Sequence, residues 1–161
     1  MSRPEYPKIA SREQWLIARK ALLAKEKALT QQRDALNVER RQLPMVKVEA
    51  DYRFQGPEGE LSLADLFAGR SQLIVYHFMY HMDRGEGCDG CSCLVDNIGH
   101  QAHLHARDTT LVLVSRAPLA DLQAFQRRMG WTLPWYSSLG SAFNYDYHAT
   151  TDEQVAPVEY N

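Results

Sequence analysis

Three cysteines fall within six positions, in the run Gly87-Cys88-Asp89-Gly90-Cys91-Ser92-Cys93, and the chain has no others. The first two form a C-x-x-C pair. Directly upstream runs an apolar, β-branched and aromatic stretch, Leu73-Ile74-Val75-Tyr76-His77-Phe78-Met79-Tyr80. Such a stretch reads as a buried strand. The order of strand, loop and thiol pair puts the cysteines near the carboxyl end of that strand, where a helix begins. A fold that does this alternates strands and helices along the chain.

The rest of the sequence agrees with that alternation. Residues 11 to 43 read as one long helix. Ser11 with Gln14 three positions later matches a capping box, which satisfies backbone N–H groups of the first turn. Trp15, Leu22, Leu29, Leu36 and Leu43 recur every seven residues and draw a narrow apolar stripe on a charged helix. That stripe suits packing along the body of the chain or a dimer seam. Pro44 stops the helix. Val46 to Phe54 alternates in part and reads as an edge strand. Gly56-Pro57-Glu58-Gly59 is turn material. Leu61 to Phe67 fits a short helix with Ser62 as its cap. Residues 72 to 80 read as a central strand buried on both faces. Cys88 to about Ala106 reads as helix, and Thr109 to Ser115 as a second strand. Pro118 opens a helix that runs to Met129 and closes at Gly130. Leu133 to Ser138 reads as a further strand. Two strands separated by a helix imply a right-handed parallel crossover. Residues 139 to 161 show little that reads as strand or helix.

Composition narrows the function. With 45% apolar and 24% charged residues a packed core is expected. The net charge of -2 offers no basic excess for nucleic acid. No apolar run reaches the roughly 20 residues needed to span a bilayer. The first residues, Met1 to Tyr6, lack the apolar segment of a signal peptide, so a cytoplasmic location is expected. In a reducing compartment a close cysteine pair points to redox chemistry or metal binding, not to a structural staple.

The chemistry follows from the thiolate. Partial positive charge at a helix N-terminus favours its formation. Cys88, at the expected helix start, is the candidate nucleophile. Cys91, one turn on, is the candidate resolving thiol. Cys93 points elsewhere and reads as a buried thiol. Arg116 follows the strand that ends at Ser115, and ligands of parallel sheets gather at the carboxyl ends of strands. It is the third candidate catalytic residue, to lower the thiolate pKa or hold an anionic substrate. His100, His103 and His105 raise an alternative, a zinc site shared with the cysteines. A continuous helix from 88 to 106 would place them turns away from the thiols. His77 reads as a satisfied core histidine, and Trp131 to Tyr136 as core and pocket wall.

Several separated segments carry a family resemblance: Trp15 to Lys20, Gly87 to Ser92, Ala106-Arg107-Asp108, Val114 to Pro118, and Gly130-Trp131 with Pro134-Trp135. The chain resembles the bacterial thioredoxin-like family DUF899 over nearly its whole length. The resemblance implies a thioredoxin fold in a peroxiredoxin-like arrangement, with an N-terminal extension and a longer loop before the cysteines. Two features depart from thioredoxin. Pro118, Pro134 and Pro157 do not precede a recognisable terminal hairpin, and Asp89-Gly90 replaces the Gly-Pro pair between the cysteines, which tunes thiolate stability.

The expectation is therefore an α/β, thioredoxin-like fold without its terminal hairpin. It divides into a helical extension over 1–44 and a domain over 45–161 that reads as truncated. The expected activity is thiol–disulfide exchange or thiol peroxidase-like chemistry by Cys88, Cys91 and Arg116. It requires no cofactor and no metal, and acts on a thiol or disulfide protein or a small peroxide. No nucleic-acid or membrane partner is expected, and the N-terminal helix is a candidate homodimer element. The alternatives are a non-catalytic interaction protein of the same fold and a zinc-binding Cys/His module.

Overall fold

The computed structural model describes residues 6–155, 157 and 158. Met1 to Glu5, part of the segment read above for a leader, lie outside them, as do Ala156 and residues 159–161 of the expected unstructured tail. The chain divides into two compact units, Met1–Val48 and Glu49–Asn161.

The first unit is built on helix α1, Arg12–Arg41. The capping box is present: Gln14 N–H donates to Ser11 Oγ at 3.2 Å, and Ser11 N–H donates to Gln14 Oε1 at 3.2 Å. At the other end Gln42 N–H reaches the carbonyls of Arg40 and Glu39, so the helix closes ahead of Pro44. The stripe residues Trp15, Leu22, Leu29 and Leu36 are all exposed, and α1 buries no residue.

The second unit holds a five-stranded sheet in the order β2-β1-β7-β6-β3. Its strands are β1 Arg53–Gly56, β2 Gly59–Ser62, β3 Gln72–His77, β6 Thr109–Ser115 and β7 Trp135–Ser137. A separate small hairpin is formed by β4, Tyr80–His81, and β5, Glu86–Gly87. The helices are α2 Asp89–Asp96, α3 Ala102–His105, α4 Leu119–Met129 and α5 Phe143–Asp146. β3 and β6 are parallel in the register Leu73↔Thr110 to His77↔Val114, and β6 and β7 are parallel as well. The expected crossover is thus present twice. β1 runs antiparallel to both β7 and β2.

Side-chain alternation along β6 builds two cores, one on each face of the sheet. Leu111 and Leu113 join Phe78, Val95, Leu122, Phe125 and Trp135 on one face. Val112 and Val114 join Phe54, Leu66 and Phe143 on the other. β6 is an inner strand, between β7 and β3, and every one of its residues is buried. The expected central strand over 72–80 is instead β3, at the sheet margin. It pairs only with β6, no described strand lies along its outer edge, and Ile74 is exposed. Apolar content alone does not separate a central strand from an edge strand with one covered face.

Other boundaries shift for local reasons. The strand expected over 46–54 begins at Arg53. It is an inner strand, because the Pro57-Glu58 turn folds β2 back along it. Gly56 and Gly59, expected in the turn, are the last paired residues of that hairpin. The helix expected over 61–67 shrinks to a 3₁₀ turn, Asp65–Phe67. Its N-cap residue is Ala64 and not Ser62, whose Oγ nonetheless accepts from Asp65 N–H and donates to the Asp65 carboxylate. α4, Leu119–Met129, begins after Pro118, which is its extended N-cap residue and not the first helical residue expected, and it ends as expected at Gly130, whose positive φ of 71° carries no Cβ penalty. The stretch after residue 139, expected to be unstructured, holds α5, whose Phe143 is fully buried in the second core.

Ser115 ends β6 with no exposed surface. Its hydroxyl donates to the Phe78 carbonyl at 2.6 Å and accepts from Trp135 Nε1–H at 3.0 Å. It ties the chain just past β3 to β7 and sets the point from which the cysteine loop departs.

Candidate active site

The loop between β3 and the cysteines is ordered by pairing. Tyr80 lies opposite Gly87 and His81 opposite Glu86 in the β4–β5 hairpin. Glu86 and Gly87 of this approach to Cys88 are therefore strand. Gly87 is required by space: a Cβ there would lie 2.7 Å from the Phe78 ring and 2.9 Å from the Phe125 ring. The hairpin delivers Cys88, whose N–H donates to the Met79 carbonyl at 2.9 Å.

Cys88 is the N-cap residue of α2. Its side chain forms no cap hydrogen bond, but the nearby backbone N–H groups of Cys91 and Gly90 hold its pKa below the ordinary thiol value, helped by the Cys91 side chain. Burial and the Asp89 carboxylate oppose the shift without reversing it. These N–H groups are donors that the first turn of any helix leaves unsatisfied, so a thiolate there replaces a missing acceptor. Because folding lowers this pKa, the thiolate stabilises the reduced fold at pH above the ordinary thiol range. That contribution is lost as pH falls through the lowered value.

The Cys88 and Cys91 side chains are near enough to interact, and all three cysteines are free. Cys93 is exposed, not buried as its thiol character suggested. It lies on the outward side of a helix whose buried residue is Val95.

Sequence reasoning passed over Tyr76. Its ring packs against the same core as Cys91, and its hydroxyl is near enough to the Cys91 side chain for the two to interact. Burial, then the interaction with Cys91 and the nearby thiols, push its pKa up to about 12. The phenol therefore stays protonated and acts as a donor to whatever charge develops on Cys91. A signal was available: Tyr76 and Phe78 share one strand face, the face on which α2 packs. A Tyr76→Phe variant is expected to leave the first attack by Cys88 unchanged. It should lengthen the life of the mixed disulfide at Cys88 by about tenfold, the scale of one hydrogen bond to a charged group. Rapid-quench mass analysis measures both steps separately. Equal slowing of both would assign the residue a packing role only.

Arg116 is exposed and is not among the groups that lower the Cys88 pKa. The structure places it instead with Cys91 in a cavity of about 300 Å³, which His77, Tyr80 and Asn144 also line. Its guanidinium lies 4.7 Å from the centre of the Tyr145 ring. His77, expected as a satisfied core residue, is only partly buried. It stacks on Phe143 at 5.2 Å, burial lowers its pKa, and its buried Nδ1 finds no hydrogen-bond partner among the described residues. Asn144 is held by a hydrogen bond with Ser138.

The histidine cluster is carried away from the thiols by a break in the expected helix. α2 ends at Asp96, where the Asn97 side chain caps the Cys93 carbonyl at 2.8 Å. His100 Nδ1 then accepts from Ala102 N–H at 3.1 Å as α3 begins. His100 and His105 line a separate cavity of about 480 Å³ with Asp96 and Trp131, and no cysteine contributes to it. Among the described residues no group of three or more His, Cys, Asp or Glu side chains converges.

No described helix is long and apolar enough to cross a membrane. The order of strand, thiol pair, helix and parallel strand is the thioredoxin-like arrangement expected from the sequence. No curated protein matches the chain. A solved structure described as a "putative protein disulfide isomerase from Bacteroides thetaiotaomicron" is similar at 20% identity and a TM-score of 0.43. The similarity covers 62% of this chain and 60% of that one. A family model matches residues 4–160, and the chain thus belongs to the family described as "Bacterial protein of unknown function (DUF899)".

Proposed function

We propose that this protein is a thiol–disulfide oxidoreductase in which Cys88 attacks and Cys91 resolves. One observation carries the reading: Cys88 is the N-cap residue of α2, beside Cys91, where the backbone N–H groups of the first turn lower its pKa. The Cys88 thiolate attacks one sulfur of a substrate disulfide, forming a mixed disulfide and expelling the first substrate thiolate. Cys91, having lost its proton to solvent, then attacks Cys88 and expels the second. The protein ends as the Cys88–Cys91 disulfide and the substrate as two thiols, so two electrons pass from protein to substrate. The reverse sequence runs through the same species. A partner thiol system returns the oxidised pair to the dithiol.

The test is made by cysteine-resolved mass analysis of the full chain. Near about pH 6, iodoacetamide is expected to label Cys88 well ahead of Cys93, because only thiolate reacts. Mild oxidation is expected to close a disulfide between Cys88 and Cys91. Slow, equal labelling of all three thiols, together with failure to form that disulfide, favours a non-catalytic protein of the same fold.

A further inference from the structure

The cavity beside the thiol pair is lined by Cys91 and not by Cys88. This asymmetry bears on which sulfur an incoming molecule meets. The cavity has an apolar wall, with Met79 and Tyr80 among its side chains, and no carboxylate among the described residues that line it. Its one formal charge is Arg116. That guanidinium is held against the Tyr145 ring, and among the described residues it makes no ion pair or hydrogen bond. A planar group with five donors, oriented by stacking and left without an acceptor, suits a carboxylate. The volume is at the lower end for ligand sites, which fits a small molecule and not a folded protein.

Resting on the exchange reading above, we infer that this cavity docks a small carboxylate-bearing thiol, which reduces the oxidised protein by attacking Cys91. The carboxylate sits on Arg116 and the thiolate faces the Cys91 sulfur. Attack there forms a bond between the incoming sulfur and Cys91, breaks the Cys88–Cys91 bond and leaves Cys88 as the thiolate. Cys88, at the N-terminus of α2, is the better leaving group, since its pKa is lowered there. A second molecule of the same thiol then attacks the small-molecule sulfur of the mixed disulfide. It releases a symmetrical small disulfide and returns Cys91 as the thiolate, which takes a proton from solvent beside the Tyr76 hydroxyl. Two small thiols are oxidised and one protein disulfide is reduced.

The experiment uses the full chain, oxidised to the Cys88–Cys91 disulfide. It is reacted separately with 3-mercaptopropionate and with neutral 2-mercaptoethanol, quenched in acid and mapped by peptide mass. The mixed disulfide with 3-mercaptopropionate is expected on Cys91. Arg116→Gln is expected to slow that reaction by about tenfold while leaving the 2-mercaptoethanol rate within about twofold. Arg128→Gln removes the same charge outside the cavity and should change neither rate. Capture on Cys88, equal slowing with both thiols, equal effects of the two arginine variants, or no effect of Arg116→Gln overturns the docking assignment and leaves the exchange reading standing. A chain that cannot be oxidised to the Cys88–Cys91 disulfide overturns both.

Discussion

Replacing Cys88 by serine is expected to lower disulfide reduction by a factor on the order of a thousand or more. A hydroxyl at the start of α2 meets the same backbone N–H groups but carries no ionised nucleophile near neutral pH. The fold should survive, because serine is a good N-cap residue. Cys91→Ser should behave differently. It retains the first attack and stalls after one turnover, as a mixed disulfide on Cys88 that mass analysis detects. Cys93→Ser should be close to wild type, since that thiol is exposed and outside the pair. Turnover of a fluorescence-quenched disulfide peptide with dithiothreitol as reductant measures all three. Activity of Cys88→Ser near the wild-type level would remove Cys88 from the nucleophile role.

The second large effect is on stability. Ser115→Ala is expected to destabilise the second unit by about 2–4 kcal/mol. One buried hydroxyl serves two buried groups, the Phe78 carbonyl and the Trp135 indole N–H. Removing it leaves both without that partner, and each stranded group costs about 1–3 kcal/mol. In urea the unfolding midpoint should fall by about 1–2 M, taking an ordinary slope for a small domain. A midpoint within about 0.2 M of wild type would show that other partners replace the hydroxyl. The substitution also bears on the site, because Phe78 and Met79 are where the chain leaves β3 for the cysteine hairpin. Loosening that anchor is expected to raise the labelling rate of Cys91 together with the loss of stability.

The local features of this chain were legible in its sequence because their causes lie within a few residues. The capping box at Ser11 and Gln14 involves groups three positions apart. β6 and α4 appear where β-branched content, Pro118 and Gly130 place them. The position of Cys88 at a helix start follows from the C-x-x-C spacing and the glycines around it, and the DUF899 resemblance rests on those same short segments. Features set by distant partners were not legible. Whether β3 or β6 lies inside the sheet depends on which strand receives neighbours on both sides, and a run of apolar residues does not encode that. Tyr76 meets Cys91 only because α2 packs on one face of β3. Arg116 joins Cys91 in a cavity only because α5 brings Asn144 and Tyr145 to the end of β6. Ser115 reaches Phe78 across 37 positions of chain. Hydrogen bonding and propensity within one turn act at short separation in sequence. The pairing and packing that assemble a site act through space, and only the folded chain brings those groups together.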